Sequence, residues 1–187
     1  MFVNLFILLT LSLTFMPLNV FAQNSNGTVE SRLTRAQNRQ GVVLDDASKS
    51  NIIAKCSNIQ NNLINIRQIS DAAIQKRIVY YSDVQKELQA IELRMMRQGV
   101  DSSEMDLLIG KIQQSLDEFT LKADDYGSVI SDLIAVDCKN KPELFYAGVV
   151  DLRQKRATLN SSATNLKQVL KNATNDTFEP LMKRLQV

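Results

Sequence analysis

The chain has 187 residues, 22 of them basic and 20 acidic, and contains neither His nor Trp. Charges of both signs in near balance leave no basic bias for a nucleic-acid backbone. The lack of His removes His-based triads, haem attachment through Cys-x-x-Cys-His and zinc sites of Cys and His. With 6 Gly and 3 Pro, the turns of an all-β or α/β chain are largely missing, so the expected class is all-α.

Residues 1–22 hold no Lys, Arg, Asp or Glu, and Leu5 to Met16 is a run of Leu, Ile, Phe and Met broken only by Thr and Ser. An apolar core of about a dozen residues is short for a membrane span, which needs about twenty. Val20-Phe21-Ala22 places small residues at both positions a signal peptidase reads, so 1–22 is read as a signal peptide cleaved before Gln23. An uncleaved segment would instead anchor the chain, and Arg32, Arg35 and Arg39 beyond it would favour an inward-facing bulk. Residues 23–47 read as a polar arm in which Gly27 and Gly41 bracket Val29, Leu33 and Ala36, a weak pattern that suits one short helix.

From Ser48 to Gln98 no Gly or Pro occurs, and Ile52, Cys56, Ile59, Leu63 and Ile66 alternate by four and three, a heptad seam. The phase slips around Ser70 to Ala73 and resumes at Ile74, Ile78, Tyr81, Val84, Leu88, Ile91 and Met95, as a helix with a local change in supercoiling would. Gly99 supplies the stop, and Asp101 with Glu104 has the pattern of a capping box for a second helix over 102–136. There Ile112, Leu116, Phe119, Ala123, Tyr126, Ile130 and Leu133 keep the spacing without a miss, while Gly110 and Gly127 either weaken the helix or admit a close neighbour. Pro142 opens a third helix, 142–173, whose seam is Phe145, Val149, Leu152, Leu159, Ala163, Leu166, Leu170 and Ala173, with Arg156 at the one skipped core position. After a polar break, Phe178, Leu181, Met182 and Leu185 suit a short C-terminal helix over 177–186.

Short turns make neighbouring helices antiparallel. The expected architecture is therefore an elongated three-helix bundle of long antiparallel coiled-coil helices over 48–187, with Phe119, Ile130, Leu133, Leu152, Leu159 and Leu166 in its core. The first long helix spans roughly 75 Å and the second roughly 50 Å at 1.5 Å per residue. Part of the first must then project, or be covered by the arm or the third helix.

Chemistry-bearing residues are few. The doublets Asp45-Asp46, Asp117-Glu118 and Asp124-Asp125 could serve acid–base or metal chemistry, but adjacent helical residues point about 100° apart and solvated faces explain them. Tyr80-Tyr81, Tyr126 and Phe145 could form an aromatic patch, yet Tyr81, Tyr126 and Phe145 fall on seams and read as core. Asn26, Asn160, Asn172 and Asn175 each begin Asn-x-Ser/Thr, a triplet that a chain rich in these residues produces by chance. Lys183 and Arg184 beside Leu181, Met182 and Leu185 could meet a membrane or partner, against the simpler reading of a terminal turn docked on the bundle.

Cys56 and Cys138 are the only cysteines. Folding the chain at Gly99 brings both to one end of a hairpin, offset by about 9 Å at 1.5 Å per residue. In an oxidising compartment a disulfide is the favoured reading; two reduced, buried thiols acting as small core residues are the alternative.

The signal segment, the arm arginines Arg32, Arg35 and Arg39, an early helical Cys56, Asp137-Cys138 and the closing third helix together resemble a group of uncharacterised exported helical proteins of candidate-phylum bacteria. The resemblance implies a bacterial cell-envelope protein and supplies no activity. The expected function is a non-enzymatic extracytoplasmic coiled-coil scaffold or interaction protein, periplasmic or at the cell surface. It carries expectations of a protein partner, no nucleic acid, peripheral membrane contact, and no cofactor or metal, with oligomeric state left open. The alternatives are a periplasmic holdase gripping unfolded clients between helical arms, and an enzyme using carboxylates alone.

Overall fold

The structure, a computed structural model, describes residues 27–173 and Phe178. The expected signal peptide 1–22, nearly all of the expected C-terminal helix 177–186 with Lys183 and Arg184, and the triplets at Asn26 and Asn175 lie outside the described residues. Among those described, four helices and no strand are found: α1 (Val29–Gln40), α2 (Asp46–Arg97), α3 (Ser103–Ala135) and α4 (Pro142–Ala173). The three long helices lie where expected, as α2, α3 and α4, and the arm contributes the short helix α1.

Local signals account for the helix ends. The Thr28 hydroxyl accepts the Ser31 N–H at 3.2 Å to start α1, and Gly41 ends it at φ +59°, a left-handed conformation that costs glycine little. Asp45 caps α2 by accepting the Ser48 N–H at 2.6 Å. At its far end Gly99 (φ +70°) and Val100 return their N–H groups to the carbonyls of Met96 and Met95 at 3.1 and 3.0 Å, a Schellman motif that satisfies two orphan carbonyls. The Asp101 carboxylate accepts the Ser103 N–H at 3.0 Å where α3 begins. Pro142 is the first residue of α4, where its missing N–H is no loss.

α3 is the central element. It packs extensively on α4 and on α2, whereas α2 and α4 touch only sparsely; α1 lies mainly on α4. Three core clusters follow one another along the molecule, each lined by α2, α3 and α4: around Leu63, Leu133 and Phe145; around Tyr81, Phe119 and Leu166; and around Leu88, Met105 and Ala173, which Phe178 also meets.

Seam positions are buried according to how many neighbours each helix has. All seven on α3, from Ile112 to Leu133, are buried. On α2 only Cys56, Leu63, Tyr81, Leu88 and Met95 are buried, and Ile66 is exposed rather than internal. On α4 Leu152 is half-buried instead of core, and Arg156 is exposed and fills no core position. Both departures fall on α2 and α4, which touch each other only sparsely, so a seam residue facing the gap between them turns partly outward. A Cβ at Gly110 or Gly127 would meet open space, so neither marks a close approach. That role belongs to Gly148 of α4, where a Cβ would sit 2.7 Å from Leu133 and 2.8 Å from Leu33.

Leu133 has no exposed surface and packs at the junction of α1, α3 and α4. Leu133→Ala should lower the unfolding free energy by about 2 to 5 kcal/mol in urea titration, the transfer term plus a cavity. A loss under about half a kcal/mol would mean that this position does not carry core packing.

Candidate functional site

Two regions concentrate the polar groups: the end of the molecule where α1, α2 and the α3–α4 turn meet, and the middle of the face between α2 and α4.

At the first, the expected proximity of Cys56 and Cys138 is found, with Cα atoms 5.7 Å apart and both side chains buried at disulfide distance. The 9 Å offset counted along the sequence disappears for a geometric reason. Gln85 bonds Gln113 across α2 and α3 at 2.6 Å, and the stretch from that pair to the cysteines uses more residues on the α2 side. There the helix rises about 43 Å. On the other side α3 rises about 33 Å to Ala135, and the non-helical steps through Val136 to Cys138 add about 10 Å at roughly 3.3 Å each. The extended backbone of Val136 thus supplies the missing length.

One turn beyond Cys56, the Gln60 amide donates to the carbonyls of Ile134 at 3.0 Å and Val136 at 2.9 Å, with Leu133 at 3.5 Å. A side chain of α2 therefore satisfies the last carbonyls of α3, whose final turn has no basic residue of its own. No periodicity marks Gln60. The only available signal was its position four residues after a seam cysteine.

α1 is fastened to the same end by charge. Arg32 grips the buried Asp132 carboxylate with two donors, Nε at 2.7 Å and Nη2 on the other oxygen, and its Nη1 donates to the Gly27 carbonyl at 2.6 Å. The hydrogen bond to Asp132 holds the guanidinium above its already high ordinary pKa. Glu30 pairs with Lys141, Arg39 approaches Asp151 at 3.7 Å, and Leu33 and Ala36 supply the apolar contact. The enclosed Gln40 amide has no hydrogen-bond partner among the described residues, which offsets part of this gain. The overhang of α2 is covered here too: Lys49 meets Glu143 of α4 at 2.8 Å, and Ile52 packs on the cluster.

Three carboxylates at this end are held below their ordinary pKa: Asp137 by the Asn140 side-chain and backbone N–H groups, Asp45 by the Ser48 backbone N–H and hydroxyl, and Glu143 by hydrogen bonding to Lys49. The acidic doublets are not brought together. Asp45 caps α2, Asp117 accepts from the Gln113 amide at 2.8 Å, and Asp125 pairs with Lys155 at 2.8 Å. Among the described residues no group of three or more Asp, Glu or Cys is placed to hold a metal ion. Tyr81, Tyr126 and Phe145 are buried in the core, and Tyr80 is exposed with its ring edge-on to Tyr81 at 5.2 Å.

The second region is a groove of about 230 Å³ between α2 and α4. Ala73, Ile74 and Arg77 of α2 form one wall, Arg156 of α4 the other, and Phe119 and Tyr126 of α3 lie beneath. The Arg77 guanidinium sits 5.5 Å from the centre of the Phe119 ring. From Ile64 to Ala73 no residue of α2 is buried, and Ile69 is 73 % exposed. This is the stretch in which the seam slips phase. The slip that reads in sequence as altered supercoiling coincides, in three dimensions, with a stretch of α2 that has no buried residue and borders the groove.

Compared with protein-family models, with curated proteins and with solved structures, the chain matches none.

The cysteines are separated by 82 positions, and a bond between them should stabilise by about 4 to 5 kcal/mol on the chain-entropy account. Cys56→Ser with Cys138→Ser should therefore melt well below the oxidised protein, and peptide mapping without reductant should recover the two cysteines linked. Free thiols in protein from an oxidising compartment, or an unchanged melting temperature, would refute the linkage.

Acid should act on this end first. Each of the three carboxylates has a folded pKa below its ordinary value of 3.8 or 4.5, so its stabilisation is present above that value and is lost as pH falls through the folded one. Amide protection factors at Ser48, Lys139 and Asn140 should fall below about pH 4 while those at Ile130 and Leu133 persist. Uniform loss along the molecule would contradict this.

Proposed function

We propose that the chain is a non-enzymatic scaffold or interaction protein of the bacterial cell envelope, outside the cytoplasm, its long helices paired as coiled coils in a three-helix bundle that α1 buttresses. It works by holding another protein against a helical face. One observation carries this reading. α2 is continuous for 52 residues, yet between Leu63 and Tyr81 it has no buried residue: Ile74 and Ile78 are half-buried against the core, and Ile66, Ile69 and Tyr80 are exposed. Apolar side chains held in an ordered, partly solvated stretch are characteristic of surfaces that bind.

The extracytoplasmic assignment is supported by the cysteine pair at disulfide distance, which suits an oxidising compartment. Among the described residues no helix is long and apolar enough to cross a membrane. The apolar segment 5–16 and the small residues at 20 and 22 are what route the chain outward in this reading.

The test is recovery of the cross-linked, tagged full-length chain from envelope fractions of a bacterial host. A discrete envelope protein should be retained in fixed ratio, and retention should persist after washing in detergent. If folded protein retains no envelope component, the interaction reading fails.

A further inference from the structure

We infer that the groove between α2 and α4 is a docking site for an acidic amphipathic helix of a partner protein; this rests on the interaction reading above and gives it a place and a chemistry. From Leu152 to Asn175 the sequence contains no Asp or Glu and five basic residues. Of these, Arg153, Arg156 and Lys167 are exposed and spaced three and eleven apart, which puts them on one flank of α4, the flank where Arg156 walls the groove. Lys155 instead points to the other side, where it pairs with Asp125.

The facing wall repeats the pattern. Lys76 and Arg77 stand on α2, and the one acid between Ile64 and Tyr81, Asp71, is already engaged by Arg67 at 3.5 Å. Neither Arg77 nor Arg156 is ion-paired among the described residues. Among the described residues, guanidiniums on both walls of one cleft therefore lack counter-charges, although the chain as a whole carries nearly as many acids as bases.

Shape selects the class of anion. Ile66, Ile69, Ala73 and Tyr80 are exposed at spacings of three, four and seven, an apolar stripe of α2 about 21 Å long, or four helical turns, that meets the groove wall at Ala73. A helix laid in a groove presents just such a ridge, at i, i+3, i+4 and i+7. The surface is concave, with Ala73 supplying the smallest side chain on its wall, so it accepts an inserted ridge where a flat lipid headgroup layer would bridge across it. A second copy offers the same cations to this face, and like charges would oppose. The occupant that satisfies both the guanidiniums and the apolar edge is a helix with a Leu- or Ile-type ridge flanked by Glu or Asp.

The experiment uses the full chain and a fluorescent 18-residue helical peptide with Leu at heptad core positions and Glu beside them, read by anisotropy. Controls are the same peptide with Lys for Glu, and phosphatidylglycerol vesicles. Two variants alter exposed groove positions without touching the core, Arg156→Glu and Ala73→Trp; unchanged melting verifies that each is folded. The Glu peptide should bind the wild type, and binding should weaken tenfold or more in either variant and as salt is raised, while the Lys peptide should not bind. Equal binding by all three proteins, or no binding of the Glu peptide, overturns the proposal. So does vesicle binding that Arg156→Glu abolishes when the peptide is ignored, which assigns the groove to a membrane. A dimer that Arg156→Glu dissolves in sedimentation assigns it to a second copy. Envelope recovery separates this inference from the broader reading: a component retained equally by wild type and Arg156→Glu removes the groove alone, whereas nothing retained by either removes the interaction function itself.

Discussion

A helix of 52 residues laid against one of 33 leaves about 28 Å of the longer without a partner at 1.5 Å per residue, and the rest of the molecule is arranged around that mismatch. Exposed, the first turns of α2 would present Ile52 and Ile59 to water and have no tertiary packing to hold them helical. The chain instead covers them with the α3–α4 turn and the start of α4. Gln60 on the terminal carbonyls of α3, Cys56 against Cys138 and Lys49 against Glu143 set the register at three successive levels. The non-helical path through Val136 is what allows those levels to align.

The same end explains why α1 exists. The polar arm has too few apolar residues to fold alone, since 12 residues are marginal for an isolated helix. Docked, it closes the open side of the α3–α4 pair through Leu33 and Ala36. Gly148 is the residue that lets it come close: any side chain there would intrude on both Leu33 and Leu133. Asp132 is enclosed only because Arg32 covers it, so the pair works as an orienting device more than as a source of net stability, the usual balance for a desolvated ion pair. Much of the arm's basic character is thereby used internally, in contacts with acids of α3 and α4.

Further along, the three-sided packing relaxes. α3 keeps a buried face from Met105 to Leu133, but α2 and α4 meet each other only sparsely, so among the described residues the midsection has a floor and two walls and nothing across them. In the proposed reading, a surface already ordered as part of continuous helices would reduce what a partner must spend on binding.

The sequence by itself determined the helical class, the α3 seam, the turn at Gly99, the start of α4 at Pro142 and the placing of the two cysteines at one end of the α2–α3 hairpin. All of these depend on spacing along one chain or on local capping, where period and residue type are enough. Four- and three-residue spacing could not tell Phe119, wholly enclosed, from Ile66 or Leu152, which turn outward, because periodicity reports which face is apolar and not how many neighbours cover it. Arg156 on a seam read as a core position for the same reason. Gly148, and not Gly110 or Gly127, is the close-approach glycine, which depends on where α1 docks. Gln60, the Arg32–Asp132 grip and the groove each join residues from different helices. Only the tertiary structure decided them, since a contact across helices depends on register and crossing, quantities to which no single helix's sequence is bound.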